Sequence, residues 1–191
     1  MDSIFQSMAV PSKRFLMYRS YASDKAFGAA FPCVNIQQTN QRKDDTEAST
    51  VMSYTQRKIY TFRGIDRLLN NLALLRYYFI PCIQVLYYNT SSSAWVNYTV
   101  PSRTLSSPKY KVPNVIQAGD KKRADSPIMF SDYGKCDVVR APHTRNEYDC
   151  ELWVAEQHVN KYPSCCDFIY DLLCAPDKYP IYQKFCTLPP R

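Results

Sequence analysis

Two short runs in the C-terminal third place an acid where a strand would otherwise be apolar: Cys136-Asp137-Val138-Val139 and Cys150-Glu151-Leu152-Trp153-Val154. A carboxylate in such β-prone sequence is costly to bury unless a cation or a hydrogen-bond donor meets it. Glu151 and Trp153 stand two apart, so on a strand they share a face and bring a carboxylate and an indole to the same side. That combination can replace the water around a buried ammonium, with about 1–2 kcal/mol from each dry aromatic face. In the alternative, Glu151 and Asp137 face solvent and Trp153 is plain core. The sequence leaves that choice open.

Other chemistry lacks a signature. The two histidines, His143 and His158, do not sit in metal-ligand spacing, and no G-x-S-x-G elbow, Walker loop or dinucleotide fingerprint occurs. The expectation is therefore no enzyme activity, no cofactor and no metal, with the histidines in surface loops and the cysteines in disulfides. The net charge of +7 is dispersed in short pairs such as "DKKR", which reads as a solvated surface with no nucleic-acid partner. No apolar run approaches the ~20 residues of a membrane helix, so a soluble chain with no membrane partner is expected.

Eight cysteines, an even number with no C-x-x-C pair, point to a disulfide framework and an oxidising compartment. The N-terminal "MDSIFQSMAV" lacks the basic and long apolar regions of a signal peptide. The expectation is a secreted, extracellular protein whose signal segment is not in this chain. Two sequons, at Asn89 and Asn97, are candidate glycosylation sites.

These residues need elements to hold them. Runs rich in β-branched and aromatic residues predict short strands over residues 14–21, 50–54, 58–62, 82–88, 95–100, 114–118, 128–133, 136–140 and 150–155. About eight or nine such strands suggest a closed meander. Ile65, Leu68, Leu69, Leu72 and Leu75 form one helical stripe within residues 65–78. A second helix is predicted over residues 164–174, with Ser164 as its cap, Asp167 in its first turn, and Phe168, Leu172 and Leu173 toward a core.

The adjacent "CC" in that helix, the following "C" and "YPIYQKFC", together with "SDYGKCDVV" leading to "CELWV", resemble the C-terminal end of the tick salivary lipocalins, the histamine-binding protein family. In that family a Cys-Asp-aliphatic triplet followed by a Glu-Leu-aromatic triplet marks biogenic-amine binders; here these are Cys136-Asp137-Val138 and Glu151-Leu152-Trp153. "YRSYASDKAFGAAFPCV" resembles the family's first barrel strand and the loop after it. The resemblance implies an all-β fold, an eight-stranded antiparallel lipocalin barrel with a C-terminal α-helix, stapled by disulfides. It implies an amine pocket of Tyr21, Asp24, Phe27, Asp137, Glu151 and Trp153, with Phe27 where a tryptophan often occurs. It also implies the pairs Cys33–Cys186, Cys136–Cys166 and Cys150–Cys174, leaving Cys82 and Cys165 unassigned. Pro127 stands where a further acid is usual, which weakens a second amine site. The match covers residues 13–62 and 126–188, so the chain is expected to be a single lipocalin-like domain over 1–191 with an atypical insertion around 63–113. The function implied is a secreted, monomeric binder of histamine or serotonin that counters host inflammation. The alternative is a lipocalin inhibitor of a host protein of complement or haemostasis, or a carrier of a lipid mediator; the 16 tyrosines would suit a protein interface.

Overall fold

A computed structural model describes residues 13–24, 30–43, 78–109, 114–119, 124–144 and 146–187. Eight strands follow one another in the chain and around the sheet: β1 (Arg14–Arg19), β2 (Asn35–Lys43), β3 (Tyr78–Asn89), β4 (Ala94–Leu105), β5 (Val115–Ala118), β6 (Ala124–Ser131), β7 (Cys136–Arg140) and β8 (Cys150–Ala155). Each pairs antiparallel with the next. β1 then bonds both β8 and β2, the latter through Arg14 opposite Ile36 and Phe15 opposite Asn35, and this closes the barrel. Closure leaves none of the eight strands as a free edge. A short β9 (Tyr179–Pro180) adds to the far half of β1, beyond its contact with β2.

Directly opposed residues share a face, and the pairing sorts the apolar residues into two sets. Phe15, Val138, Leu152 and Val154 point outward and form one core with Cys166 and Tyr170 of the helix α1 (Ser164–Leu173). Leu16, Val139 and Trp153 point into the barrel, against Val34, Ile128 and Ile181. Ile83, Val85 and Ala118 continue the interior on the β3–β5 wall. A shift in the β1–β8 register between Leu16 and Tyr18 marks a bulge, after which Arg19 stands opposite Glu151.

Cys33–Cys186, Cys136–Cys166 and Cys150–Cys174 are all formed, with Cα separations of 5.0, 6.5 and 5.6 Å. The first ties the entry to β2 to the C-terminal turn; the other two clamp α1 across β7 and β8. Cys165 is free and exposed, and the Cys82 side chain lies outside the described residues.

The helix corrects three expectations. Pro163, not Ser164, holds the N-cap position, without a side-chain cap bond. Phe168 and Leu172 are exposed, at 65 % each, and Leu173 is only half-buried. The Cys136–Cys166 bond and the edge-to-face packing of Tyr170 on Tyr18, ring centroids 4.7 Å apart, fix the rotation of α1. Residues two positions from that Cys166/Tyr170 face are carried to the solvent side. Asp167 keeps its place in the first turn and accepts the hydroxyls of Tyr18 and Tyr162.

β2 is a strand that the sequence did not announce. "NIQQTNQRK" carries no strong apolar alternation, and it is the nine-residue register with β3 that makes it extended. The expected strands at 50–54 and 58–62 and the helical stripe up to residue 77 lie outside the described residues; Tyr78 opens β3. Of the middle span set apart around 63–113, residues 78–105 supply β3, β4 and their turn. Among the described residues no helix is long and apolar enough to cross a membrane.

Candidate functional site

The two acids that raised the question at the outset have different fates. Both face the barrel interior, since Asp137 is opposite Trp153 and Val139 is opposite Glu151. Asp137 is met by a resident cation: Arg14 Nη1 lies 2.6 Å from its Oδ2, and Ser131 Oγ donates to Oδ1 at 2.6 Å. Arg14 reaches it from β1 across β8, and both groups are buried. This is a built-in ion pair.

Glu151 is held instead by neutral donors. Trp153 Nε1–H donates to its Oε2 at 2.8 Å, and the Tyr21 hydroxyl donates to Oε1. Tyr21 also lies 3.0 Å from Asp24 Oδ2, so that its oxygen sits between the two carboxylates. His143 Nε2 approaches the same Asp24 oxygen at 3.0 Å. Tyr21, Asp24, Glu151 and Trp153 are all buried, whereas the His143 side chain keeps 21 % exposure and opens the cluster to solvent. One ligand atom each from Asp24, His143 and Glu151 lies within 4.8 Å of the others.

Local structure explains the assembly. Glu151 and Trp153 are two apart on β8, as their spacing required. Tyr21 and Asp24 follow the end of β1, where the buried Arg19 donates to the carbonyls of Tyr21 at 3.1 Å and Ala22 at 3.3 Å and stacks 5.0 Å over the Tyr21 ring. His143 belongs to a short 3-10 turn (Pro142–Thr144) just beyond β7, tied down by Thr144 Oγ1 on the carbonyl of Ala141. It was expected at the surface in a loop. The loop is there, but its register turns the ring inward against Tyr21, edge-to-face with centroids 6.0 Å apart.

The electrostatics follow from burial and proximity. Desolvation raises the Glu151 carboxyl above its ordinary range, and the nearby Asp24 raises it further; the hydrogen bonds from Tyr21 and Trp153 and the charge of His143 oppose this. His143 is raised chiefly by its hydrogen bond to Asp24, against the opposing effect of burial. Burial and the two acids push the Tyr21 hydroxyl well above the usual phenol range, so it is a proton donor at all working pH values. Tyr98 on β4 is pushed up to about 12, first by burial and then by the charge of Asp24, which brings a further aromatic from the opposite wall into this field.

Four of the six expected site residues, Tyr21, Asp24, Glu151 and Trp153, are therefore brought together. Asp137 shares their interior face but is engaged by Arg14, and Phe27 lies outside the described residues. Arg19, Tyr98 and His143 were not anticipated. The parity of Tyr98 with Val100 on a strand was the one available signal for its inward direction.

Among the described residues, a closed eight-stranded antiparallel meander with one helix packed on its outer face, and polar groups converging inside, defines a lipocalin-like barrel. The sequence profile described as tick histamine binding protein matches residues 82–188, more than half of the chain, and the chain belongs to that family. Over 43 residues it is 50 % identical to the male-specific histamine-binding salivary protein of Rhipicephalus appendiculatus, a match spanning 22 % of this chain and 22 % of that relative. The crystal structure of the AM182 serotonin complex superposes with a TM-score of 0.52 at 15 % identity, covering 97 % of this chain and 93 % of that one. The cockroach allergen Per a 4 superposes with a TM-score of 0.53 at 10 % identity, covering 97 % of this chain and 90 % of the allergen. At these identities the two structures speak for the fold alone.

Proposed function

We propose that this chain is a secreted, non-enzymatic carrier that sequesters a biogenic amine, histamine or serotonin, inside its barrel and so counters host inflammation. The observation that carries the reading is the buried pair Glu151 and Asp24, bridged by Tyr21 and flanked by Trp153, in a chain of the tick histamine-binding family. An ammonium entering beside Glu151 exchanges its water for a carboxylate, the Tyr21 oxygen and the Trp153 face. Without such groups its burial would cost several kcal/mol. His143 stands beside the second carboxylate, and its hydrogen bond to Asp24 raises the imidazole above its ordinary range.

Asp137 is proposed as the closed wall of the same interior, its charge already answered by Arg14, so that one amine binds per chain. The family and the curated relative support the class of ligand, since both are named for histamine. The disulfide framework and the salivary relative support secretion, and Asn97, exposed on β4, suits a glycan better than the half-buried Asn89. The chain acts in this reading as a monomer on a small molecule, without nucleic acid, membrane or cofactor. The reading as an inhibitor of a host protein draws on the exposed Phe168 and Leu172 of α1.

Calorimetric titration of the refolded chain with histamine, serotonin and a fatty-acid mediator tests the choice. One-to-one amine binding is expected. Saturable binding of the fatty acid with no amine heat would exclude the amine reading.

A further inference from the structure

The cluster formed by Asp24, His143 and Glu151 has the composition and spacing of a metal site, although the three come from different elements and no sequence motif links them. We propose that it binds a divalent cation of the zinc class, and that cation and amine exclude each other. The metal part of this inference stands without the amine reading; only the exclusion rests on it.

The donor set decides the class of ion. Two carboxylates and an imidazole suit first-row divalent metals, whereas calcium asks for six to eight oxygens and soft copper(I) for sulfur. Ligands at about 2.0–2.2 Å from zinc stand within about 3.6 Å of one another in a tetrahedron. The three groups already lie within 4.8 Å, and Asp24 Oδ2 and His143 Nε2 are 3.0 Å apart. Side-chain adjustments of about an ångström close them on an ion. Glu151 also has the outer support that ligating carboxylates need, because Trp153 Nε1–H holds Oε2 and leaves Oε1 directed at the cluster. At present the Tyr21 hydroxyl occupies the bridging position between the acids; a cation takes over that role, and the partly exposed His143 side supplies the entry.

Charge distinguishes the two occupants. Asp24, Glu151 and a neutral His143 carry two negative charges, which one dication cancels. A monovalent ammonium cancels only one of them. The other groups facing this ring are Tyr21, Arg19 and, across the barrel, Tyr98.

The test is a calorimetric titration of zinc chloride into the full chain, made without a histidine tag, at pH 7.5. We expect one ion per chain and at least a tenfold weaker dissociation constant in both His143→Ala and Glu151→Gln. His158→Ala, at the opposite end of β8, should match wild type. Circular dichroism of each variant separates lost ligands from a lost fold, and cobalt(II) absorption gives a second readout of the same site. Absence of one-to-one binding, or binding that follows His158 and not His143, would overturn the metal site. Saturation with serotonin, which lacks the imidazole that lets histamine chelate zinc in solution, should abolish the zinc heat; equal zinc binding in its presence would refute the exclusion. Zinc binding by a chain that takes no amine would sink the amine reading alone and leave the metal site standing.

Discussion

Replacing Glu151 by Gln separates the charge of this residue from its shape. The amide keeps the volume, its oxygen can still accept Trp153 Nε1–H, and its NH2 can face Tyr21 Oη, so the polar contacts of the site survive. What disappears is one unit of negative charge at a fully buried position. At about 4 Å and an effective dielectric near 20, a carboxylate and an ammonium attract by about 4 kcal/mol. Asp24 remains close by and the amide oxygen still offers a dipole, so the net loss should fall at about 2–4 kcal/mol. That is roughly a 30- to 700-fold weaker dissociation constant. The ligand-free protein should respond in the opposite sense. Burial next to Asp24 raises the Glu151 carboxyl, which means that the ionised form is a cost to the fold. The variant should unfold at the same or a higher temperature than wild type. Isothermal titration with histamine and serotonin at pH 7.5, with a thermal melt of each ligand-free protein, measures both quantities. Amine affinity within threefold of wild type in this variant would refute the placement of the ammonium beside Glu151.

Asp137→Asn should act on stability and leave binding largely intact. It deprives the buried Arg14 of its carboxylate and should cost about 3 kcal/mol in chemical denaturation, with the stoichiometry of amine binding unchanged. His143 and Glu151 both hold protons more tightly in the fold than their ordinary values of 6.5 and 4.5. The native state thus binds more protons than the unfolded chain, and stability falls as pH rises. The Glu151 contribution is complete below 4.5 and the His143 contribution below 6.5, each being lost as pH climbs through the raised value. Melting temperatures recorded from pH 5 to 9 should show this decline, and His143→Gln should flatten its upper part. Replacing both Cys33 and Cys186 by Ser opens a loop closed across 153 residues and should cost about 5 kcal/mol in the chain-entropy treatment, read from guanidinium unfolding.

Much of the outward framework was legible in the residues themselves. The runs at Cys136–Arg140 and Cys150–Ala155 became strands with the boundaries their composition suggested, because β-branched and aromatic side chains suit a pleated surface whatever lies next to it. Period two likewise placed Glu151 and Trp153 on one face before any partner was known. The family pattern supplied the three disulfides, which spacing alone could not have chosen among 105 pairings. Contacts between distant segments decided the rest. "NIQQTNQRK" is a strand because β3 lies beside it, and Phe168 and Leu172 are exposed because a disulfide and Tyr170 fix how α1 is turned. The same holds inside the barrel. Asp137 and Glu151 look alike in sequence, each directly after a cysteine and before an apolar residue, and differ only in what the fold carries to them. Arg14 arrives at one from two strands away, and Tyr21 with the Asp24–His143 pair arrives at the other. Whether a buried acid is met by a cation or by neutral donors depends on which groups lie within a few ångströms, and for residues more than a hundred positions apart only the closed barrel sets that distance.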